Sequence, residues 1–115
     1  EQEKDPDGSH NTWYKKAVNY WDNQEASYNG VLGGFGFVSD IDVRDSKQLL
    51  EKAMKTQLQE QAKGQRTLVA LDCGAGVGRV SKELLLHVFQ EVDLLEPSQH
   101  LLEAAEKDLK TNSRK

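Results

Sequence analysis

A single cysteine, Cys73, stands among the 115 residues. One thiol cannot close an intramolecular disulfide, and it leaves too few thiols for a structural zinc site. No His or Cys cluster forms around it, so no metal site is suggested. The sequence also lacks any apolar run near the roughly 20 residues of a membrane span, and no signal-peptide pattern precedes Trp13. Charge of one sign is missing too. The 15 Lys and Arg against 19 Asp and Glu leave a net charge of −4 with no like-charge block, which makes a poor general nucleic-acid binder. Hydrophobic residues are only 37% of the chain, yet counting glycine brings the share to roughly 45%, inside the globular range. The expectation is a soluble domain, or a piece of one, from a reducing compartment, with no membrane or nucleic-acid partner.

What is present falls into three parts. Residues 1–11 are almost wholly polar and read as a flexible tail. Residues 12–65 read as a helical extension. Trp13, Ala17, Tyr20 and Trp21 share one face of a short helix. The stretch Tyr28 to Phe37 interleaves glycine with apolar residues and suits neither helix nor regular strand. Ser46 is then expected to cap a helix running to about Gln61, with Leu49, Leu50, Ala53, Met54 and Leu58 as its stripe.

Residues 66–115 carry the pattern of an α/β sheet. Leu68 to Asp72 is a short apolar run, as in a buried parallel strand. Gly74-Ala75-Gly76-Val77-Gly78 makes a turn, and a helix over about 79–90 follows. Val92 to Leu95 reads as a second strand, and Pro97 and Ser98 open a last helix with Leu101, Leu102, Ala105 and Leu109 inward. Strand, glycine turn, helix, strand and helix make the first part of a doubly wound, Rossmann-like sheet. At roughly 30 residues per strand-plus-helix step, a complete sheet of this kind needs about 200. These residues are therefore expected to be the N-terminal part of a larger domain.

A glycine turn between strand and helix brings a ligand close to backbone N–H groups. An acidic residue about 20 positions further on can accept from a ribose hydroxyl pair, and Glu96 follows Gly74 at about that distance. Two residues choose among adenosine-bearing cofactors. Arg79 stands where the dinucleotide pattern needs its third glycine. Asp72, at the mouth of the turn, would repel a pyrophosphate but suits the ammonium and sulfonium of S-adenosylmethionine. Arg79 suits the same ligand's carboxylate. The bland alternative is that the glycines only tighten a packing turn.

Leu71 to Lys82 (LDCGAGVGRVSK) and Glu91 to Pro97 (EVDLLEP) resemble the first cofactor motifs of the protein N-terminal methyltransferases, class I S-adenosylmethionine enzymes. Tyr20-Trp21 and Gly30 to Gly36 (GVLGGFG) resemble the same family's N-terminal extension. The resemblance covers about residues 13–107. It implies cofactor contacts at Asp72, Gly74, Gly76, Arg79, Glu96, Pro97, Ser98 and Trp21, and peptide contacts at Trp21, Leu32 and Gly33. It also implies methylation of protein α-amino groups that begin with a small residue, then Pro, then Lys or Arg. Nuclear and cytoplasmic placement and a monomeric state come with it.

The family's catalytic Asp and His have no matching segment here, so no catalytic residue is expected in this segment, and on its own it is expected to be inactive. His87 and His100 read as ordinary helix residues, and Cys73 as a small buried residue beside the turn. Two other readings stay open: a methyltransferase for a side-chain or small-molecule acceptor, and a non-catalytic interaction module.

Overall fold

Two parallel strands, β1 (Val69–Cys73) and β2 (Glu91–Leu95), pair in the register Val69↔Glu91 to Cys73↔Leu95. The computed structural model describes residues 4–112. Ahead of the sheet come α1 (Asn11–Asp22), α2 (Tyr28–Val31), a 3-10 turn (Gly36–Val38), α3 (Ser39–Ala53) and α4 (Lys55–Ala62). The connection between the strands is helical from Arg79, widens into a π-helical turn over Ser81–Leu85, and closes as α5 (Leu86–Val88). After β2 runs α6 (Gln99–Asn112).

The buried apolar residues are Ala75, Val77, Leu84, Val88, Leu101 and Ala105. They come from the glycine turn, the crossover helix and α6, which together cover one face of the sheet. The opposite face stays open. Val69, Leu71 and Leu95 are 54%, 61% and 59% exposed, so the strands alternate where continuous burial was expected. Their apolar run anticipates two covered faces, and the described residues cover one. Cys73 lies on this open face and is exposed rather than buried.

Close packing explains one glycine. Gly78 has φ +80°, and a Cβ placed there would come 3.2 Å from Cβ of Ala105. Both the left-handed backbone and the approach of α6 call for glycine. At the other end of the sheet one side chain does comparable work. Gln61 of α4 donates through Nε2 to the Val88 carbonyl at 2.8 Å. Its Oε1 accepts from Leu68 N at 3.3 Å and Gln90 N at 3.1 Å. The backbone before each strand is thereby satisfied by one amide.

The N-terminal half differs from expectation in three places. Of the tail expected over residues 1–11, residues 1–3 lie outside the described residues, and the rest forms a hydrogen-bonded turn from Asp5 to Ser9. There Asp5 Oδ2 accepts from Thr12 N at 2.9 Å and so caps the start of α1. Ser46 caps nothing. It sits within α3, which begins at Ser39 with Asp40 and Asp42 in its first turn, where acidic charge suits the helix dipole. Met54, with φ −115° and ψ 27°, then divides α3 from α4. Finally, the glycine-rich stretch is partly helical: Ser27 caps α2 by accepting from Gly30 N at 3.1 Å. Asn29 holds the rest, its carbonyl accepting from Gly34 N and its Oδ1 from Gly36 N. No helix among the described residues is long and apolar enough to cross a membrane.

Two outcomes follow from this packing. Gly78→Ala forces an unfavourable φ against α6 and is expected to cost about 2 kcal/mol or more, read as a lower urea midpoint. An unchanged midpoint would contradict the contact. The hydrogen bonds from Thr12 hold the Asp5 carboxyl below its ordinary 3.8. A carboxyl held low stabilises the fold above its unfolded pKa, and that contribution disappears as pH falls through the folded value. The protection of the Thr12 amide, measured against its intrinsic exchange rate at each pH, should therefore fall below about pH 4, and Asp5→Asn should abolish the step.

Candidate functional site

The C-terminal ends of both strands open into one cavity of about 390 Å³. Its wall comprises Trp21 from α1, Val31 and Leu32 from the glycine-rich loop, and Asp72, Gly74, Ala75 and Gly76 from β1 and its turn. Arg79 and Val80 from the crossover helix, and Glu96, Pro97 and Leu101 beyond β2, complete it. This is the crevice where open α/β sheets hold ligands, outside the carboxyl ends of the strands.

The glycine turn is closed on itself. Gly74 N and Ala75 N both donate to the Leu95 carbonyl, at 2.8 and 3.1 Å, and Gly78 N donates to Ala75 O. Gly76 N donates to Glu96 Oε1 at 2.8 Å. These four N–H groups are already engaged, so the turn differs from the N–H cradle that glycine spacing suggests. A pyrophosphate would find those donors taken and the Asp72 carboxylate beside it. A ligand without phosphate meets no such conflict.

Glu96 has a second duty. Its Oε2 accepts from Ser98 N at 2.7 Å, so one carboxylate links the turn after β1 to the start of α6. Each oxygen keeps further lone-pair capacity for a ligand hydroxyl. Asp72 is oriented as well, accepting from Ser81 Oγ at 2.7 Å. Arg79 donates through Nη1 to Asp42 Oδ2 at 2.9 Å and to Ser39 Oγ at 3.2 Å. The cavity therefore presents one cation and two anions, each held by a protein neighbour.

Docking of the N-terminal elements completes the wall. The fully buried Ser98 hydroxyl donates to Asp22 Oδ1, at the end of α1. His100 Nε2 lies 3.2 Å from the Gln24 carbonyl. Together these hold α1 against α6 with Trp21 on the cavity. Tyr28 donates its hydroxyl to Glu83 Oε1 at 2.7 Å, which ties α2 to the crossover helix. Burial, then this bond, raise the phenol well above its ordinary 10.0, so Tyr28 remains a donor at any physiological pH.

Of the residues singled out in the sequence, Asp72, Gly74, Gly76, Arg79, Glu96, Pro97, Trp21 and Leu32 lie on the cavity wall. Ser98 and Gly33 do not. Ser98 contributes its backbone N–H to Glu96, and its side chain is taken by Asp22. Gly33 lies in open space with φ +60°. Val31, Ala75, Val80 and Leu101 join the wall without having been expected there. Leu101 is visible in the sequence only as an inward helix residue. No group of three or more metal-ligating side chains occurs among the described residues.

The residues present fit an adenosine-bearing zwitterion. Asp72 and Arg79 offer opposite charges to an amino-acid end, Glu96 offers an acceptor to ribose hydroxyls, and Trp21, Val31, Leu32, Pro97 and Leu101 form apolar wall.

Comparisons with known proteins agree with this chemistry. The family model described as AdoMet-dependent proline di-methyltransferase matches residues 9–115. A rice (Oryza sativa subsp. indica) "Alpha N-terminal protein methyltransferase 1" is 49% identical over 109 residues, covering 95% of this chain and 34% of that protein. The human "N-terminal Xaa-Pro-Lys N-methyltransferase 1" is 39% identical over 90 residues, covering 78% of this chain and 39% of that protein. Among solved structures, a SAM-dependent methyltransferase from Leishmania major superposes with a TM-score of 0.69. It is 41% identical and is covered over 38% of its length, against 91% of this chain. The chain thus spans little more than a third of these relatives.

Glu96→Ala strips both Gly76 and Ser98 of their acceptor. It should lower stability by about 1–3 kcal/mol, seen in urea denaturation, with Glu96→Gln losing less. Equal loss in the two variants would contradict the bridging role.

Proposed function

Because the chain belongs to the AdoMet-dependent proline di-methyltransferase family, we propose that its cavity holds S-adenosylmethionine for methylation of protein α-amino groups. The acceptor N-termini are of the Xaa-Pro-Lys type named for the relatives, with Arg also accepted at the third position. The observation that carries this reading is the convergence of Asp72, Arg79 and Glu96 on one cavity beside a turn with four of its N–H groups already engaged. That combination suits a zwitterionic nucleoside without phosphate.

The cofactor, when bound, supplies an electrophilic methyl on a sulfonium. Asp72, oriented by Ser81, faces the ammonium of the amino-acid end, and Arg79 takes its carboxylate. Glu96 accepts from the ribose. Trp21, Leu32 and Pro97 supply apolar wall, and Trp21 and Leu32 border the entering peptide. An α-amino group has a reference pKa of about 7.7–8.0, so a good part is protonated at neutral pH and must be bound as, or converted to, the free amine. We assign that proton-accepting step to none of the described residues of this chain.

The test is calorimetric titration of the chain with S-adenosylhomocysteine and with NAD, beside a methylation assay on a Ser-Pro-Lys peptide. S-adenosylhomocysteine should bind and NAD should not. Arg79→Ala and Glu96→Ala should each weaken binding about tenfold or more. The chain alone should leave the peptide unmethylated. Absence of S-adenosylhomocysteine binding would favour an interaction module, and methylation by the chain alone would place the base among these residues.

A further inference from the structure

Arg79 reaches the cavity wall with one end of its guanidinium already engaged. Both acceptors, Ser39 Oγ and Asp42 Oδ2, belong to the first turn of α3. No residue of α3 lines the cavity itself. Ser39 is buried at 4% exposure, whereas Asp42 is exposed. The Arg79 side chain retains 14% exposure against 52% for Asp42. The ion pair thus runs from the cavity wall outward to a solvent-facing carboxylate, with a buried hydroxyl beside it.

A guanidinium carries five N–H donors in a rigid fork. The contacts with α3 use Nη1, which leaves the donors of Nη2 and Nε for another partner. An unrestrained arginine would have to surrender several freely rotating bonds when a ligand binds, which weakens binding. Here two acceptors on one helix turn have already fixed its far end.

We propose that Ser39 and Asp42 are positioning residues that preset Arg79 for the carboxylate of the cofactor's amino-acid end, so that α3 takes part in cofactor recognition without touching the ligand. This rests on the cofactor reading given above. Asp42 does not compete with the ligand, because it occupies Nη1 and leaves the rest of the fork. It acts only on that end of the ligand, since the adenine and ribose contacts come from other elements.

This locality supplies the test. S-adenosylhomocysteine carries the amino-acid end, and 5′-methylthioadenosine lacks it. Calorimetric titration of both ligands would compare the full chain with its Asp42→Asn, Ser39→Ala and doubly substituted variants. The double variant should bind S-adenosylhomocysteine about five- to tenfold more weakly, with 5′-methylthioadenosine unchanged. Asp42→Asn alone, at an exposed position, should show the same selectivity to a smaller degree. Equal weakening of both ligands would reduce the two residues to supports of the fold. Unchanged or tighter S-adenosylhomocysteine binding would overturn the positioning role. If Arg79→Ala also binds S-adenosylhomocysteine like the parent chain, or the parent chain binds neither ligand, the cofactor reading itself fails.

Discussion

The Glu96 carboxylate accepts one backbone N–H from the turn after β1 and another from the start of α6. Two parallel strands have no hairpin to set how their C-terminal ends diverge, so the loops beyond them need a tie of another kind. Here the Leu95 carbonyl takes Gly74 N and Ala75 N, and the next residue along takes Gly76 N. The ligand-facing ends of both strands are thereby locked to each other by two consecutive residues of one chain segment. The same carboxylate faces the cavity, which makes the scaffold and the recognition chemistry a single group. Its Ser98 contact extends the tie further, because the Ser98 side chain reaches Asp22 and so holds α1 and Trp21 in place.

The charged side chains of the cavity share a feature. None faces it without an anchor: Asp72 is held by Ser81, Glu96 by Gly76 and Ser98, and Arg79 by Ser39 and Asp42. Charged groups fixed in advance lose little freedom when a ligand arrives, and preorganisation of this sort improves both affinity and orientation. The anchors come from the crossover helix, the turns and α3. Of these, α3 contributes nothing to the cavity surface and still helps determine how it is presented.

One face of the sheet is left open by the described residues. Val69, Leu71 and Leu95 are apolar residues on strands of a type normally covered on both sides. Their exposure agrees with the chain's spanning little more than a third of the relatives' length. The cavity is lined from the strand ends, the glycine turn and the N-terminal elements, so it does not depend on the open face.

Local patterns determined a great deal about this protein. Period and composition located both strands within a residue of their ends, the glycine turn between them, and α6. The residue types at 72, 79 and 96 were enough to prefer a zwitterionic adenosine ligand, because charge and donor capacity belong to side chains wherever they are placed. Other features depend on partners remote in the chain. Ser46 looked like a cap because a serine preceded an apolar stripe, but α3 had already begun at Ser39, which is buried against the crossover helix and the Arg79 side chain. The resemblance implies a ligand contact at Ser98, and the fold gives its hydroxyl to Asp22. The glycine turn promised free N–H groups, and only the pairing of β1 with β2 brought Leu95 and Glu96 close enough to occupy three of them. Sequence separates Arg79 from Asp42, and Tyr28 from Glu83, by whole helices. No spacing rule links such residues, since a hydrogen bond requires nearness in space, and folding alone brings them together.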